Sequence, residues 1–181
     1  MFQSFLERLF WSFGPLIVMA LFGAVAAALM LRLYYCLRRK RIVICGSMNF
    51  ARDMLALKNH FEQEGYGGYR CVVSEGTEEY ASGKRVTNSE SSRGKIERDL
   101  IRKHWHEIQR CDAILVVNNL KNDIEGYIGG NTLLEMGFAH ILRKPIFLLN
   151  PPPHNPLFWQ EIGAMQPVIL NNNLGLMRQH L

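Results

Sequence analysis

Short β-branched runs alternate with amphipathic stretches along most of the chain. Apolar runs of about five residues predict strands, and apolar residues that recur at spacings of three and four predict helices between them. A long polar segment, residues 74–94, interrupts the pattern once and predicts a loop. The predicted strands are residues 41–45, 69–73, 113–117, 146–149 and 167–170, and the predicted helices run through Phe50, Met54, Leu57 and Phe61, through Ile96, Leu100, Ile101, Trp105 and Ile108, from 132 to about 142, and from 157 to 162.

This order of elements predicts an α/β fold, a doubly wound sheet of five parallel strands with helices on both faces. Three turns follow predicted strands, at Gly46-Ser47-Met48, Asn118-Asn119 and Asn150-Pro151. Because the carboxyl ends of parallel strands share one edge of a sheet, we expect these turns to lie close together. The helix that carries Glu135 begins after a second polar loop, and we expect its start at the same edge.

The apolar stretch from Leu9 to Leu31 contains no charged residue over 23 positions, which is enough to cross a bilayer as a helix. A basic cluster, residues 38–41, follows the stretch, whereas a cleaved signal peptide carries its positive charge before the apolar run. A buried soluble helix is the other alternative. By the positive-inside rule, the sequence predicts a single-pass plasma-membrane or inner-membrane anchor in residues 1–40, with the N-terminus outside and a cytoplasmic domain in residues 41–181.

The net charge of +5 resides in the first 41 residues, which hold six basic residues and one acidic residue. The rest of the chain carries 15 of each sign, so the sequence predicts no nucleic-acid partner. The four cysteines are widely spaced and include no C-x-x-C pair, which favours reduced, apolar cysteines over disulfides or metal ligands. No cofactor motif is present, and we expect no cofactor and no metal.

The stretch Gly129-Gly130-Asn131-Thr132 predicts a tight turn that leads into a helix capped by Asn131. Glu135 then follows in or just after the first turn, where the helix dipole favours an ionised carboxylate. Gly137 is expected to allow close packing against a neighbour. The same pattern is also typical of an ordinary helix start, so a catalytic role for Glu135 is one of two interpretations at this stage.

Other polar residues at the predicted edge suit a sugar or a phosphate. Gly46-Ser47 opens a helix and offers backbone N–H groups to a phosphate, although a steric need for glycine explains the turn equally well. Asn118 and Asn131 can hydrogen-bond a sugar or base, or serve turn formation alone. His104 and His106 lie in the second amphipathic helix, where a solvated surface histidine is the more common case. A lone carboxylate beside amide groups suits glycosyl transfer, in which the carboxylate attacks the anomeric carbon as the base departs.

Three segments resemble the nucleoside 2-deoxyribosyltransferase superfamily, which includes the 2'-deoxynucleoside 5'-phosphate N-hydrolases. They are the Gly46-Ser47 turn, residues 111–117, and residues 130–139 with the core x-G-x-T-x-x-E-x-G. The resemblance covers roughly residues 41–170 and implies a flavodoxin-like fold, a homo-oligomer and a small-molecule nucleoside or nucleotide substrate. It implies Glu135 as nucleophile and Gly46, Ser47 and Met48 as the lining of a sugar or 5'-phosphate pocket. From their place at the predicted edge of the sheet, we expect four further residues in the substrate site: Asn118, Gly130, Asn131 and Thr132.

Two positions depart from the family pattern. The transferases carry an aspartate six residues before the glutamate, where this chain has Gly129, and another acid where this chain has His104. His104 is expected to serve instead as an acid or hydrogen-bond donor. The sequence therefore supports three hypotheses: an N-glycosidic bond hydrolase or deoxyribosyltransferase at the membrane, a tethered nucleotide-sensing module without turnover, and a structural membrane adaptor.

Overall fold

The computed structural model describes residues 18–31, 33, 39–63, 69–83, 99–153 and 158–181. The chain divides into two compact units, Met1–Arg39 and Lys40–Leu181. In the first unit, residues 18–31 are helical and expose large apolar side chains such as Phe22. Within the described ranges, no helix combines the length and apolar character needed to cross a membrane. Residues 9–17 of the predicted membrane anchor lie outside the described residues.

The second unit is an α/β fold built on a single sheet of five parallel strands. Strand order is β2-β1-β3-β4-β5, the order of flavodoxin-like doubly wound sheets. In chain order the elements are β1 (Lys40–Gly46), a 3-10 turn (Met48–Phe50), α1 (Ala51–Gln63), β2 (Tyr69–Val73), α2 (Thr77–Ala81), α3 (Leu100–Gln109), β3 (Ala113–Val117), α4 (Gly130–Ile141), β4 (Ile146–Leu148), α5 (Trp159–Ala164), β5 (Val168–Ile169) and a 3-10 helix (Leu174–Gln179).

Alternate residues of the central strands enter two separate apolar cores, one on each face of the sheet. On one face, Ile42 and Ile44 of β1 pack with α1 and the C-terminal 3-10 helix. On the other face, Val43 and Cys45 pack with residues of α3, α4 and α5. Because side chains alternate between the two faces of a strand, Cys45, the penultimate residue of β1, faces α3 and α4.

The predicted strands agree with the structure to within one or two residues at each end, and differences lie in the connections. The polar segment predicted as a loop contains α2, whose five residues are too few to show a helical apolar period. Residues 84–94 of that segment lie outside the described residues. The C-terminal 3-10 helix was not predicted, although it buries Met177 beneath the sheet. The expected close packing of a neighbouring element against Gly137 is not found, because a Cβ at this position would have no described heavy atom within 4 Å outside its own helix backbone.

Candidate functional site

A cleft of about 810 Å³ opens at the carboxyl ends of β1 and β2, beside α3 and the start of α4. Its walls combine polar groups with apolar side chains of α3 and α4. Eight of the predicted site residues line the cleft. Six of them lie at the end of β1, in the turn that follows it or in the first turn of α4, and the other two are ionisable. These eight residues are Gly46, Ser47, Met48, Gly130, Asn131, Thr132, His104 and Glu135.

Glu135 and His104 meet in the wall of this cleft. Nε2 of His104 lies 3.3 Å from Oε1 of Glu135, and the two side chains are 10% and 13% exposed. α3 presents His104 to the sheet, one turn before the buried Ile108. The surface position that the sequence favoured for His104 is therefore wrong, whereas His106 is exposed as expected. The pair forms a largely desolvated contact between a carboxylate and an imidazole.

Two residues that the sequence analysis did not single out complete the surroundings of His104. Sγ of Cys45 lies 3.6 Å from Nε2, and Oγ of Ser74 lies 3.2 Å from Nδ1. Cys45 is near the carboxyl end of β1, and Ser74 directly follows β2. Their places at the ends of neighbouring parallel strands are the signal that could have identified them, since such ends share one edge of the sheet.

Burial decides the protonation of His104. Desolvation lowers the pKa of its imidazole to about 4, although the nearby Glu107 carboxylate acts in the opposite direction. At neutral pH the imidazole is therefore neutral, with one N–H group. A consistent arrangement has Nε2–H donating to the Glu135 carboxylate while Nδ1 accepts from the Ser74 hydroxyl. Burial and the neighbouring Glu135 likewise raise the pKa of Cys45 well above its ordinary value, which keeps a neutral thiol.

The start of α4 differs from the predicted cap. Gly129 is the N-cap residue and Gly130 begins the helix, so Asn131 lies within the first turn and does not cap it. Glu135 consequently belongs to the second turn, and the first turn contains no acidic residue. The helix dipole weakens beyond the first turn, so it contributes little at Glu135. The contact with His104 helps to orient this carboxylate.

The Ser47 turn is the second polar feature of the cleft. Ser47 caps the 3-10 turn by accepting from the backbone N–H of Asn49, and its Oγ also accepts from Nζ of Lys121 at 2.9 Å. Lys121 is held there by a tight reverse turn in which Asn122 and Asp123 adopt positive φ angles, a conformation that these residue types tolerate. Nζ of Lys121 also lies 4.7 Å from the ring centre of Tyr127.

Further charged residues of the cleft are paired across its wall. Lys103 Nζ donates to the Glu75 carboxylate at 3.0 Å. Glu107 forms an ion pair with Arg41, the second residue of β1. Both acids are therefore already neutralised by cations of the chain itself. Of the described acidic residues that line the cleft, this leaves Glu135 as the one paired with a neutral partner.

Asn118 lies outside this cleft, although the sequence assigned it to the same pocket. Its side chain is fully buried and bonded to the loop after β4. Nδ2 donates to the carbonyl oxygens of Asn150 and Pro151 at 2.8 and 3.2 Å, and Oδ1 accepts from the Asn150 N–H at 2.9 Å. Asn118 thus joins two loops at the edge of the sheet and has no polar atom directed to the cleft.

The sequence matches no protein-family model and no curated protein. Among solved structures, the chain is similar to a Clostridium botulinum protein described as the CMP N-glycosidase BcmB. The two are 16% identical with a TM-score of 0.40, and the alignment covers 78% of this chain and 100% of the other.

Proposed function

We propose that the chain cleaves the N-glycosidic bond of a nucleoside or nucleotide, with Glu135 as the nucleophile. The observation that carries the proposal is the Glu135–His104 contact of 3.3 Å in the wall of a cleft that also holds the Ser47 turn. A nucleophilic carboxylate needs an ionised oxygen, a fixed orientation and restricted access to water. The Nε2–H group of His104 favours the ionised oxygen and fixes its orientation, and burial of the pair restricts access to water.

In this reaction, a carboxylate oxygen of Glu135 forms a bond to the anomeric carbon of the sugar. The bond from that carbon to the base nitrogen breaks, and the base leaves with the electron pair and takes up a proton from water in the cleft. Water then attacks the same carbon and passes a proton to the hydroxide left by the first step, the ester bond to Glu135 breaks, and the free carboxylate is restored. A second base in place of water would complete a transfer reaction instead.

His104 acts in this proposal as a positioning residue. With a pKa of about 4, its imidazole carries no spare proton for the departing base at neutral pH. Its N–H instead orients the carboxylate, and Ser74 fixes the imidazole from the opposite nitrogen. Of the two roles expected for His104 from the sequence, acid and hydrogen-bond donor, we therefore propose the hydrogen-bond donor.

We further propose that the substrate carries a 5'-phosphate that binds at the Ser47 turn. Backbone N–H groups at the start of a helical turn and a nearby cation suit a phosphate. Lys121 Nζ at 2.9 Å from Ser47 Oγ supplies that cation. Replacing Lys121 with methionine is expected to raise KM at least about tenfold for nucleotides, and to leave KM for nucleosides unchanged.

Release of free base from a panel of deoxynucleotides, ribonucleotides, nucleosides and NAD tests the proposal. We expect the wild-type chain to release base from at least one of them, and Glu135→Gln to lower the rate at least ~1,000-fold. Glu125→Gln is the matched control, because Glu125 is exposed and does not line the cleft. A Glu135→Gln variant that keeps the wild-type rate would show that another group carries the reaction.

A nucleotide-sensing module without turnover is the second candidate. Two other described acids line the cleft, and their ion pairs favour it: Glu75 pairs with Lys103 and Glu107 with Arg41, and a carboxylate held by a cation is a poor proton source for the departing base. Gly129, where the transferases carry an acid, favours it too. Binding of a panel member, measured by calorimetry, without release of base under the same conditions is the result expected of a sensor.

The membrane anchor in residues 9–31 and the homo-oligomer are also part of the proposal. α4 exposes Leu134 and Ile141, which are 49% and 78% exposed, along one face of the helix, and this supports self-association there. Fractionation of cells that express the full chain, with and without residues 1–39, tests the anchor. Light scattering of the wild-type and Ile141→Glu proteins tests the oligomer. If both proteins have the molar mass of a single chain, the proposed self-association is wrong.

A further inference from the structure

Cys45, His104 and Glu135 bring three different metal-ligating atoms together at the wall of the cleft. Sγ, Nε2 and a carboxylate oxygen all lie within 4.8 Å of one another. The residues come from β1, α3 and α4, so packing of three elements against each other positions them before any ion arrives. No local sequence motif indicates this cluster, because 59 and 31 positions separate its successive members.

The distances fit tetrahedral coordination of zinc. Bond lengths of about 2.3 Å to sulfur, about 2.0 Å to imidazole nitrogen and about 2.1 Å to carboxylate oxygen place neighbouring ligands roughly 3.4–3.6 Å apart. In the chain, Sγ to Nε2 of His104 is 3.6 Å, and Nε2 to Oε1 of Glu135 is 3.3 Å. The remaining edge, from Sγ to the carboxylate oxygen, is no longer than 4.8 Å, so it is at most about 1.2 Å longer than a tetrahedral site requires.

The surroundings also suit a metal ligand. When Nε2 binds a metal, the imidazole proton occupies Nδ1, where Ser74 Oγ at 3.2 Å can accept it. Such a hydrogen bond to the second nitrogen is the usual support of a ligating histidine. One thiolate and one carboxylate balance the charge of a divalent ion, and a sulfur–imidazole–carboxylate set favours Zn²⁺ over Mg²⁺ or Ca²⁺.

We infer that Cys45, His104 and Glu135 form a binding site for Zn²⁺, with a fourth position open to the cleft. His104 and Glu135 line the cleft, so an ion can enter from it and a water molecule or ligand can complete the coordination. Binding releases the thiol proton and moves the imidazole proton from Nε2 to Nδ1. A bound ion also engages the carboxylate of Glu135, so zinc and glycosyl transfer exclude each other, a consequence that rests on the proposed function.

Titration of the metal-free full chain with Co²⁺, a spectroscopic substitute for Zn²⁺, tests the site. We expect one equivalent to bind, with a thiolate-to-cobalt charge-transfer band and the strong visible bands of tetrahedral Co²⁺, and Zn²⁺ to displace it. Cys45→Ser should lose the charge-transfer band. Cys111→Ser is the matched control, because Cys111 is a buried free thiol outside the cluster, and it should keep the band. Ser74→Ala should keep the band with affinity about tenfold weaker.

A wild-type chain without the charge-transfer band, or a band that survives in Cys45→Ser, would overturn the inference. Should Cys45→Ser fail to fold by circular dichroism, anomalous diffraction from zinc-soaked wild-type crystals decides the matter. The ion must then lie within about 2.0–2.4 Å of all three ligand atoms, and any other position contradicts the site. Zinc inhibition of base release, reversed by a chelator, tests the exclusion separately. If no base is ever released, the proposed function fails while the spectroscopic result stands.

Discussion

Replacement of Asn118 by alanine distinguishes a structural role from a role in substrate binding. The wild-type side chain is fully buried and makes three hydrogen bonds to the backbone of Asn150 and Pro151. Each bond contributes about 1 kcal/mol, and a buried backbone group that loses its partner costs about 1–3 kcal/mol. Because some of these groups can recover partners in water, we expect a total loss of about 3 kcal/mol.

Urea unfolding followed by circular dichroism measures this loss. With a slope of about 2 kcal/mol per molar urea, a loss of about 3 kcal/mol lowers the midpoint by about 1.5 M. Asn119→Ala is the matched control. Asn119 is half-buried and its amide contacts two side chains, donating to Asp53 at 2.7 Å and accepting from Asn150 Nδ2 at 2.9 Å, so the substitution strands no buried backbone group and should cost about 1 kcal/mol. If Asn118→Ala unfolds like the wild type but raises KM about tenfold, Asn118 binds substrate and the structural account fails.

Three further predictions concern the sheet edge and the site. Gly46→Ala should destabilise the fold by about 1–3 kcal/mol, because the added Cβ would lie 2.9 Å from the Val117 carbonyl oxygen. Gly137→Ala should stabilise α4 by about 0.5–1 kcal/mol, because the added Cβ has no described atom within 4 Å. Urea midpoints measure both effects, and equal midpoints for the two variants would contradict the close approach of Gly46 to Val117. His104 has a pKa of about 4 when folded and about 6.5 when unfolded, so the unfolded state binds more protons between these values. The free energy of unfolding should therefore fall by roughly 3 kcal/mol as pH is lowered from about 6.5 to about 4, and His104→Gln should remove most of that slope. The same His104→Gln variant should lower kcat about 100-fold with a small change in KM, because a misplaced nucleophile slows the chemical step more than binding; an unchanged kcat would exclude the positioning role.

The order of elements was predictable because it rests on local patterns. Continuous apolar runs mark strands that are buried on both faces, as β3 is, and α1 and α3 each show an apolar period. α2 and the C-terminal 3-10 helix are too short to show one. The five-stranded sheet with the order β2-β1-β3-β4-β5 agrees with the predicted doubly wound arrangement.

The site was less predictable because its contacts join distant parts of the chain. The sequence placed Ser47 and Glu135 at one edge of the sheet, and the structure brings both to one cleft. It could not show that α3 turns His104 inward onto Cys45, since that depends on how the helix rotates against the sheet. Asn118 follows a strand just as Ser47 does, but the backbone of the neighbouring loop occupies its amide, a fact that only tertiary structure reveals.

The most direct test of Glu135 as the nucleophile is a crystal structure of the Glu135→Gln variant with a nucleotide that the wild-type chain cleaves. We expect the sugar C1' at about 3–3.5 Å from the side-chain oxygen at position 135, the separation of a near-attack arrangement. We also expect the 5'-phosphate at the Ser47 turn, within reach of Lys121. A nucleotide bound in the cleft with its C1' well beyond that distance, or with its phosphate against position 135, would contradict Glu135 as the nucleophile.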